Sequence, residues 1–492
     1  MDNKELKALM DALGIRAQVR VWNLVKTGAN KWQIDELINQ ILDEQAISDK
    51  EQLEAANKII KLRKEGIPYK IFGQHLIEQV AIDDMNWIAR LPYVVWLSLQ
   101  ADAHRVKEKH VPVGGVVKTL DCILPGVVGN DIACSVMLTV IDQVVNDQAW
   151  WDQFYDAFDY ILRTYTYFGI MYNPLEVHGN PLFDEIGSPK AIEALVDQLQ
   201  HEDAKKLVRK LAGTARNQFG TSGDGNHFIE IGYTDTTPVY IYNGKDWPIS
   251  RTGLRPSPDS HLAILSHFGS RGVGAVIADY YLDLANELNP VPKGMEDNAP
   301  LFFDTDGHAE DYLVLMNWAG KFAQNSHAYI HDRLMVEMSK RGIIDYSQMS
   351  KFSIYTKHNF AWVKNDGIWH RKGSTPAPVA EYAMIPATMG DKSQIVIGLG
   401  NEESGDSASH GAGRKMSRSV ALQHIHGDTA ETVKKRYGIN LIGGGNDEHP
   451  DAYKSIKEVM DEQKEIVKTV GTFRAVHVRM ADPRVMPRKG RK

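Results

Sequence analysis

The sequence predicts a mixed α and β fold of the α+β kind, with one large domain over residues 69–492 preceded by a helical extension over residues 1–68. Three observations carry this expectation. Up to about Gly66, apolar residues recur at helical spacing. From Tyr69 onward the texture changes to short β-branched runs broken by glycines, as in "YVVWLSL", "GGVVKTLDCILPGVVG" and "SQIVIGLG". Beyond that point no internal period, low-complexity segment or long linker divides the chain.

In the extension, "SDKEQLEAANKIIKLRKEG" places Ser48 and Glu51 as a capping box and Gly66 as a stop. Within the large domain, helical patterns cover Trp150–Thr164, Pro189–Ala212, Glu310–Lys340 and Tyr453–Val470. The segment "FAWVKNDGIWHRKG" has apolar residues on both sides of Asn-Asp-Gly, which reads as a hairpin turn. Two basic clusters, "VKKRYG" near Lys434 and the tail "PRVMPRKGRK", read as a solvated helix end and a frayed terminus.

Composition narrows the function classes. With 43% hydrophobic and 24% charged residues the chain resembles an ordinary globular protein, and no apolar stretch approaches the roughly 20 residues of a spanning helix. No partner membrane is expected. The start, "MDNKELKALMDALG", lacks a basic region followed by an apolar core, and the only cysteines are Cys122 and Cys134, so a reducing, cytoplasmic location is expected. A net charge of -7 gives no overall attraction to phosphate, so nucleic-acid binding has to come from a local groove.

Several short motifs carry chemistry. "GVVGNDIACSVMLTVID" sets Asp131 and Cys134 in apolar surroundings, where a carboxylate is costly unless paired or metal-bound. Residues three apart on a straight strand face opposite sides, so both reach one site only at a bend, which Gly129 permits. "GTSGDGNHFIEIG" puts His227 at a strand onset, "LSHFGSRGVG" puts His267 at a strand end with Arg271 beyond it, and "YTKHNFAWV" supplies His358 and Asn359. Each alone reads more often as a satisfied core residue. Together, three imidazoles, a thiol and a carboxylate suit Zn, Mn, Fe or Co better than Mg or Ca, and their scatter along the chain suits a catalytic site better than a structural one.

"GLGNEESGDSASHGAGRKMSR" surrounds His410 with small residues; Gly411 and Gly413 leave room for something bulky, and Arg414 and Arg418 balance an anion such as phosphate. The plain alternative is a tight turn with a surface histidine. No GxxxxGK[ST] loop occurs. "KNDG" at Lys364–Gly367 matches the short pattern of lysine-dependent nucleotidyltransferases, but its hairpin context weighs above that reading.

Taken together, "VGNDIACSVM", "GDGNHFIEI", "HFGSRGVG", "KHNF", "RKG", "IPATMGDKS", "GLGNEES" and "SHGAGRKMSR" followed by "AYKSIKEVMDEQ" resemble the RtcB family of GTP-dependent RNA ligases, from about Asp102 to Tyr453. The resemblance implies a single large catalytic domain with a deep cleft holding two Mn ions, for which Zn or Co can substitute, on Asp131, Cys134, His227, His267 and His358. It implies His410 as the nucleophile that takes a guanylate from GTP and passes it to an RNA 3′-phosphate. That phosphate arises where necessary from a 2′,3′-cyclic phosphate, and a 5′-hydroxyl then seals the strand. By the same matching Asn226, His227, Phe228, Ile229, Glu230, His358, Asn359, Pro386, Ala387, Thr388, Met389, Ser393, His410, Gly411, Ala412, Gly413 and Tyr453 line the GTP pocket. Arg271, Asn359 and Arg414 hold phosphates of nucleotide or RNA. Asp102 and His104 match the family's Asp-x-His element. A monomer acting on RNA ends, with room for an archease-like activator, is the expected state.

The chain departs from the family pattern in places. Phe268 stands where a small polar residue is usual, Ala387-Thr388 replace Gly-Ser, and "FRAVHVRMADPR" stands where the family often ends in Val-Lys-Gly. The helical extension has no counterpart in compact bacterial members. Two other readings are a metal-dependent phosphoesterase acting on cyclic-phosphate ends and a non-catalytic RNA-end-binding protein.

Overall fold

The computed structural model describes residues 58–105, 111–169, 177–236, 259–345 and 352–482, with scattered positions outside these ranges. The chain separates into two compact units, Met1–Ile60 and Lys61–Lys492. In the first, the described positions Leu24, Gln33, Glu36, Leu37, Gln40 and Ile41 are helical. The capping box expected at Ser48 and Glu51 lies outside the described residues, as do the tail basic residues beyond Asp482. Gly66 does not end a helix, because the chain is already irregular from Ile59. The Arg63 and Ile67 N–H groups instead donate to the carbonyls of Arg90 and Ala89.

The second unit is built on two sheets. The larger runs in the order Phe352–Lys357, Ser135–Val144, His261–Phe268, Phe228–Thr236, Val467–Met480, Ser393–Gly398, Tyr382–Ile385, with Asn440–Ile442 added beside Val467–Met480. Its strands Ser135–Val144 and His261–Phe268 bury apolar residues on both faces, as a sheet covered on both sides requires. On one face Val136, Leu138, Ala263 and Leu265 pack with Met384, Ile395, Val470 and Val478. On the other runs the 33-residue helix His308–Lys340, most of whose length is buried. Burying one such leucine contributes about 1.5–3 kcal/mol. The smaller sheet orders Lys70–Ile71, Val94–His104, Val113–Thr119, Gly367–Lys372 and Asn359–Lys364.

Register explains why the donors meet. The strands of the larger sheet's main path alternate in direction, so the start of one lies beside the end of the next. Ser135 pairs with both Phe268 and Lys357, and Phe228 pairs with His267. Residues just before Ser135 and Phe228, and those at the ends of the strands closing at Phe268 and Lys357, therefore share one end of the sheet. His358 is the single residue joining the larger sheet to the smaller one, so the second sheet starts there as well.

Two expected helices are corrected. Pro189–Ala212 is two helices, Pro189–Val196 and Glu202–Gln218. Asp311 breaks the run by accepting from the N–H groups of Gln200 (2.7 Å) and His201 (3.0 Å), which removes them from any continuing helix. Tyr453–Val470 holds only the short helix Ile456–Asp461, and Val467 already opens a 14-residue strand. That strand pairs with Phe228–Thr236 on one side and Ser393–Gly398 on the other, and this ladder outweighs local helix preference. The Lys364–Gly367 segment is the expected hairpin turn, with Lys364 exposed at its tip.

Candidate active site

Asp131 and Cys134 sit in a turn rather than on the strand itself. Ala133 takes a left-handed conformation (φ 57°), its N–H donates to the Asn359 carbonyl (2.7 Å), and the Cys134 N–H closes back on the Asp131 carbonyl (3.0 Å). This bend aims both side chains at one place, which a straight strand forbids. His227 follows the Ser222–Gly225 turn. Gly223 (φ +98°) is required there, since a Cβ would stand 2.1 Å from Arg271 and 2.6 Å from the His227 ring. Gly269, after His267, likewise leaves room for Asp131, whose oxygen would lie 2.1 Å from an added Cβ.

Five donors converge in two overlapping sets, Cys134–His267–His358 and Asp131–Cys134–His227, with the donor atoms of each set within 4.8 Å of one another. Cys134 belongs to both. Its Sγ lies 3.3 Å from His267 Nε2 and 3.7 Å from His227 Nε2; His267 Nε2 lies 3.3 Å from His358 Nε2, and His227 Nε2 lies 3.0 Å from Asp131 Oδ2. Two ligands about 2.1 and 2.3 Å from one ion at a tetrahedral angle stand about 3.6 Å apart, so this spacing fits shared ions.

Proton placement supports the same conclusion. His227 Nδ1 is 2.9 Å from the Ser222 carbonyl, which can only accept, so Nδ1 carries a hydrogen and Nε2 is the ring nitrogen aimed at Asp131 and Cys134. Burial, aided by the neighbouring histidines, holds the His267 and His358 rings well below the usual histidine range, so they are neutral ligands. For Asp131 burial alone would raise the carboxyl, but His227 and Cys134 outweigh it and hold it low. Burial and then the Asp131 charge push the Cys134 thiol up. A divalent cation at the sulfur reverses that order and deprotonates it.

His410 adjoins this cluster. Its ring centroid is 4.8 Å from that of His358, and its side chain is 13% exposed, which rules out the surface-turn alternative. Asp102, on Val94–His104 and fully buried, accepts with one oxygen from both His410 Nδ1 (2.6 Å) and the His410 N–H (3.0 Å). Nδ1 is thereby occupied, and Nε2 is the ring nitrogen that Asp102 leaves untouched. Burial would raise the Asp102 carboxyl, but His410, Lys454 and His104 hold it below its ordinary value. His104 turns back to the Asp102 carbonyl (3.1 Å) and supports this element from behind.

The other expected residues divide into those brought together and those not. Ala387, Ala412 and Tyr453 share one apolar cluster. The Pro386 carbonyl lies 3.3 Å from the Cβ position of Gly411, and Ser393 Oγ accepts from the Ala387 N–H (2.9 Å). The Thr388 hydroxyl donates to Asp391 (3.0 Å). Phe228 and Met389 belong to the core of the larger sheet, and Glu230, on the strand face of Phe228, is pushed up to about 8 by burial. Ile229 points to the opposite face and is fully buried, so it offers only backbone. Asn226 precedes His227 in the same turn, and Gly413 passes its carbonyl to the Lys454 N–H (3.0 Å). Arg271 reaches Thr221 and the Gly169 carbonyl (3.3 and 2.5 Å) beside the cluster. Asn359 ties the Asp131 carbonyl (3.3 Å) to the Gly373 N–H (2.7 Å). Arg414 differs from expectation: it donates to Met416 and Asp447 carbonyls, Tyr453 and Glu448, so little of its fork is left for a phosphate.

Sequence reasoning missed Ser222, Gln463, Glu448 and Lys454. Gln463 accepts from the Ser409 N–H (2.9 Å), and buried Lys454 donates to the carbonyls of Ala101 and Ala103 (3.2 and 2.8 Å), on either side of Asp102. Their one cue was the "AYKSIKEVMDEQ" segment. Grooves of about 470 Å³ near Lys457 and near Tyr69 touch none of the donors; the convergence of donors marks the site.

Comparison with known proteins agrees with this geometry. The chain is 28% identical over 448 residues to the RNA-splicing ligase RtcB of Escherichia coli K12, covering 87% of this chain and 98% of that protein. It is 28% identical over 298 residues to the tRNA-splicing ligase RtcB of Pyrobaculum aerophilum, covering 53% of this chain and 58% of that protein. With the RtcB of Mycobacterium tuberculosis it shares 26% identity over 290 residues, 53% of this chain and 63% of that protein. A family model described as tRNA-splicing ligase RtcB matches residues 84–480, a span that holds Asp102, all five donors and His410, and the chain therefore belongs to the RtcB family.

Proposed function

We propose that the chain is a GTP- and Mn-dependent RNA ligase that joins 3′-phosphate or 2′,3′-cyclic phosphate ends to 5′-hydroxyl ends through a guanylylated His410. The observation that carries this reading is the placement of His410, with Nδ1 held by Asp102 and its ring against His358 at the rim of the donor cluster.

His410 Nε2 attacks the α-phosphorus of GTP, the bond to pyrophosphate breaks, and pyrophosphate leaves. An oxygen of the RNA 3′-phosphate then displaces the histidine, and the 5′-hydroxyl finally displaces GMP as the new phosphodiester forms. A cyclic end first takes up one water to give the 3′-phosphate. Asp102 is a positioning residue: it keeps the hydrogen on Nδ1 and steadies the charge the ring gains when Nε2 bonds to phosphorus. Asp131, Cys134, His227, His267 and His358 would hold the two Mn ions, which supply charge neutralisation at phosphoryl oxygens. Arg271 and Asn359 fix the turns around these donors and face the phosphates. Glu230, Phe228, Met389, Ala387 and Tyr453 form the walls for guanine. Residues 1–68 precede the family match and are read as an accessory helical extension.

The test is incubation with Mn and GTP labelled at the α-phosphate, followed by peptide mass mapping. The reading expects one guanylate on the peptide holding His410 and none in His410→Ala. No adduct on the wild type, or an adduct on Lys364 that survives His410→Ala, contradicts it. Opening of cyclic phosphates without GTP or joining would favour the phosphoesterase reading instead.

A further inference from the structure

His327 and His331 lie one turn apart on the His308–Lys340 helix, behind the sheet end that carries the donors, with exposures of 0% and 1%. Their hydrogen bonds are best satisfied by one arrangement of protons. His327 Nε2 is 3.1 Å from the Phe268 carbonyl, which can only accept, so Nε2 carries the hydrogen. The buried ring is neutral, so Nδ1 accepts from the Ser266 hydroxyl at 2.7 Å. Having donated, the Ser266 oxygen accepts from His331 Nε2 at 2.7 Å, and His331 Nδ1 accepts from the Thr139 hydroxyl at 2.8 Å. Four bonds thus run in one direction, from Thr139 through His331, Ser266 and His327 to the Phe268 carbonyl. Aligned bonds of this kind strengthen one another in a low-dielectric interior.

The anchors are placed with respect to the donors. Ser266 precedes His267 and Phe268 follows it, while Ser135, within 3.2 Å of His327 Nε2, follows Cys134. The His327 ring also stacks on Phe268, with centroids 3.5 Å apart and planes at 9°. Gly269, the next residue, gives Asp131 its clearance. A small shift of the Phe268 carbonyl would therefore move His267 and the space for Asp131 together.

We propose that this one-way chain is a positioning relay: His327 and His331 fix the backbone around His267 and behind Cys134, keeping the donors convergent before any ion arrives. The proposal rests on the reading of the cluster as a metal centre, and it requires neither GTP nor RNA for its test. Co2+ is titrated into the full-length chain while visible absorption is followed, since thiolate and imidazole ligands give a characteristic spectrum. Ser266→Ala breaks the relay at its middle with minimal change of shape; Thr139→Val removes its far end.

The expected result is a tenfold or larger loss of Co2+ affinity in Ser266→Ala with an altered spectrum, and a smaller loss of the same sign in Thr139→Val. If Ser266→Ala does not fold, Thr139→Val decides alone. Wild-type affinity and spectrum in the variants, with only a lower melting temperature, would show that the network is structural and overturn the proposal. Absence of Co2+ binding by the wild type itself would overturn the metal reading, and the relay with it.

Discussion

Two groups of histidines lie on either side of the same strands, and both are buried. His227, His267 and His358 direct Nε2 atoms at one another and at a thiol and a carboxylate. His327 and His331 direct every nitrogen at a hydroxyl or a carbonyl. Burial is therefore common to both, and what distinguishes a site is ligand atoms aimed at one another rather than at hydroxyls and carbonyls. The first group presents a cation with converging ligands; the second spends its nitrogens on hydrogen bonds.

Removing the shared donor should break that contrast most sharply. Cys134→Ala takes a ligand from both sets, so metal content should fall from two ions per chain towards zero and guanylylation should drop by roughly a thousandfold or more. Metal analysis after gel filtration checks this. His358→Ala or Asp131→Ala touches only one set and should leave about one ion per chain. Equal losses in all three variants would mean that the two sets are not separate sites.

Next in size is Asp102→Asn, which keeps shape but removes the negative charge beside His410 Nδ1. By analogy with other carboxylate-oriented histidines, adduct formation should slow by about a hundredfold to ten thousandfold, with metal content and GTP affinity nearly unchanged. A rise in KM without loss of kcat would contradict the positioning role.

Glu230 gives a smaller effect with a defined pH dependence. Burial raises its carboxyl to about 8, so it is largely protonated at pH 7. Guanine offers N–H donors, which favour the ionised form, so GTP affinity should increase with pH through this value and then level off. Stability runs the other way. The folded protein binds a proton that the unfolded chain has released, so apo stability falls as pH rises from about 4.5 towards 8. Glu230→Gln should flatten both profiles and reduce discrimination of GTP from ATP by roughly tenfold or more. The smallest change is expected at half-saturation with metal: at a concentration equal to its Kd, one ion adds about 0.4 kcal/mol to stability.

Much of this site was legible because its donors sit at strand ends beside glycine-rich turns, a local pattern that the sequence displays. "GDGNHF", "SHFGSRG" and "KHNF" announce the imidazoles, and "SHGAGR" announces the nucleophile candidate. Long-range partners left no such trace. Asp311 breaking a helix over a hundred residues away, Lys454 holding both sides of Asp102, and Ser222 setting a tautomer depend on tertiary contacts that spacing does not encode. The same limit explains Val467–Val470, the end of the expected Tyr453–Val470 helix, where pairing with Ser393–Gly398 makes a strand. His327 and His331 look no different in sequence from metal ligands; only the hydroxyls opposite them show otherwise.

The most direct measurement is anomalous diffraction at the Mn edge from crystals grown with Mn2+ and GTP. Two peaks flanking the Cys134 sulfur, with continuous density joining His410 Nε2 to a phosphorus, is the predicted result. A single peak away from Cys134, or a His410 ring free of phosphate with the nucleotide bound elsewhere, would contradict the account.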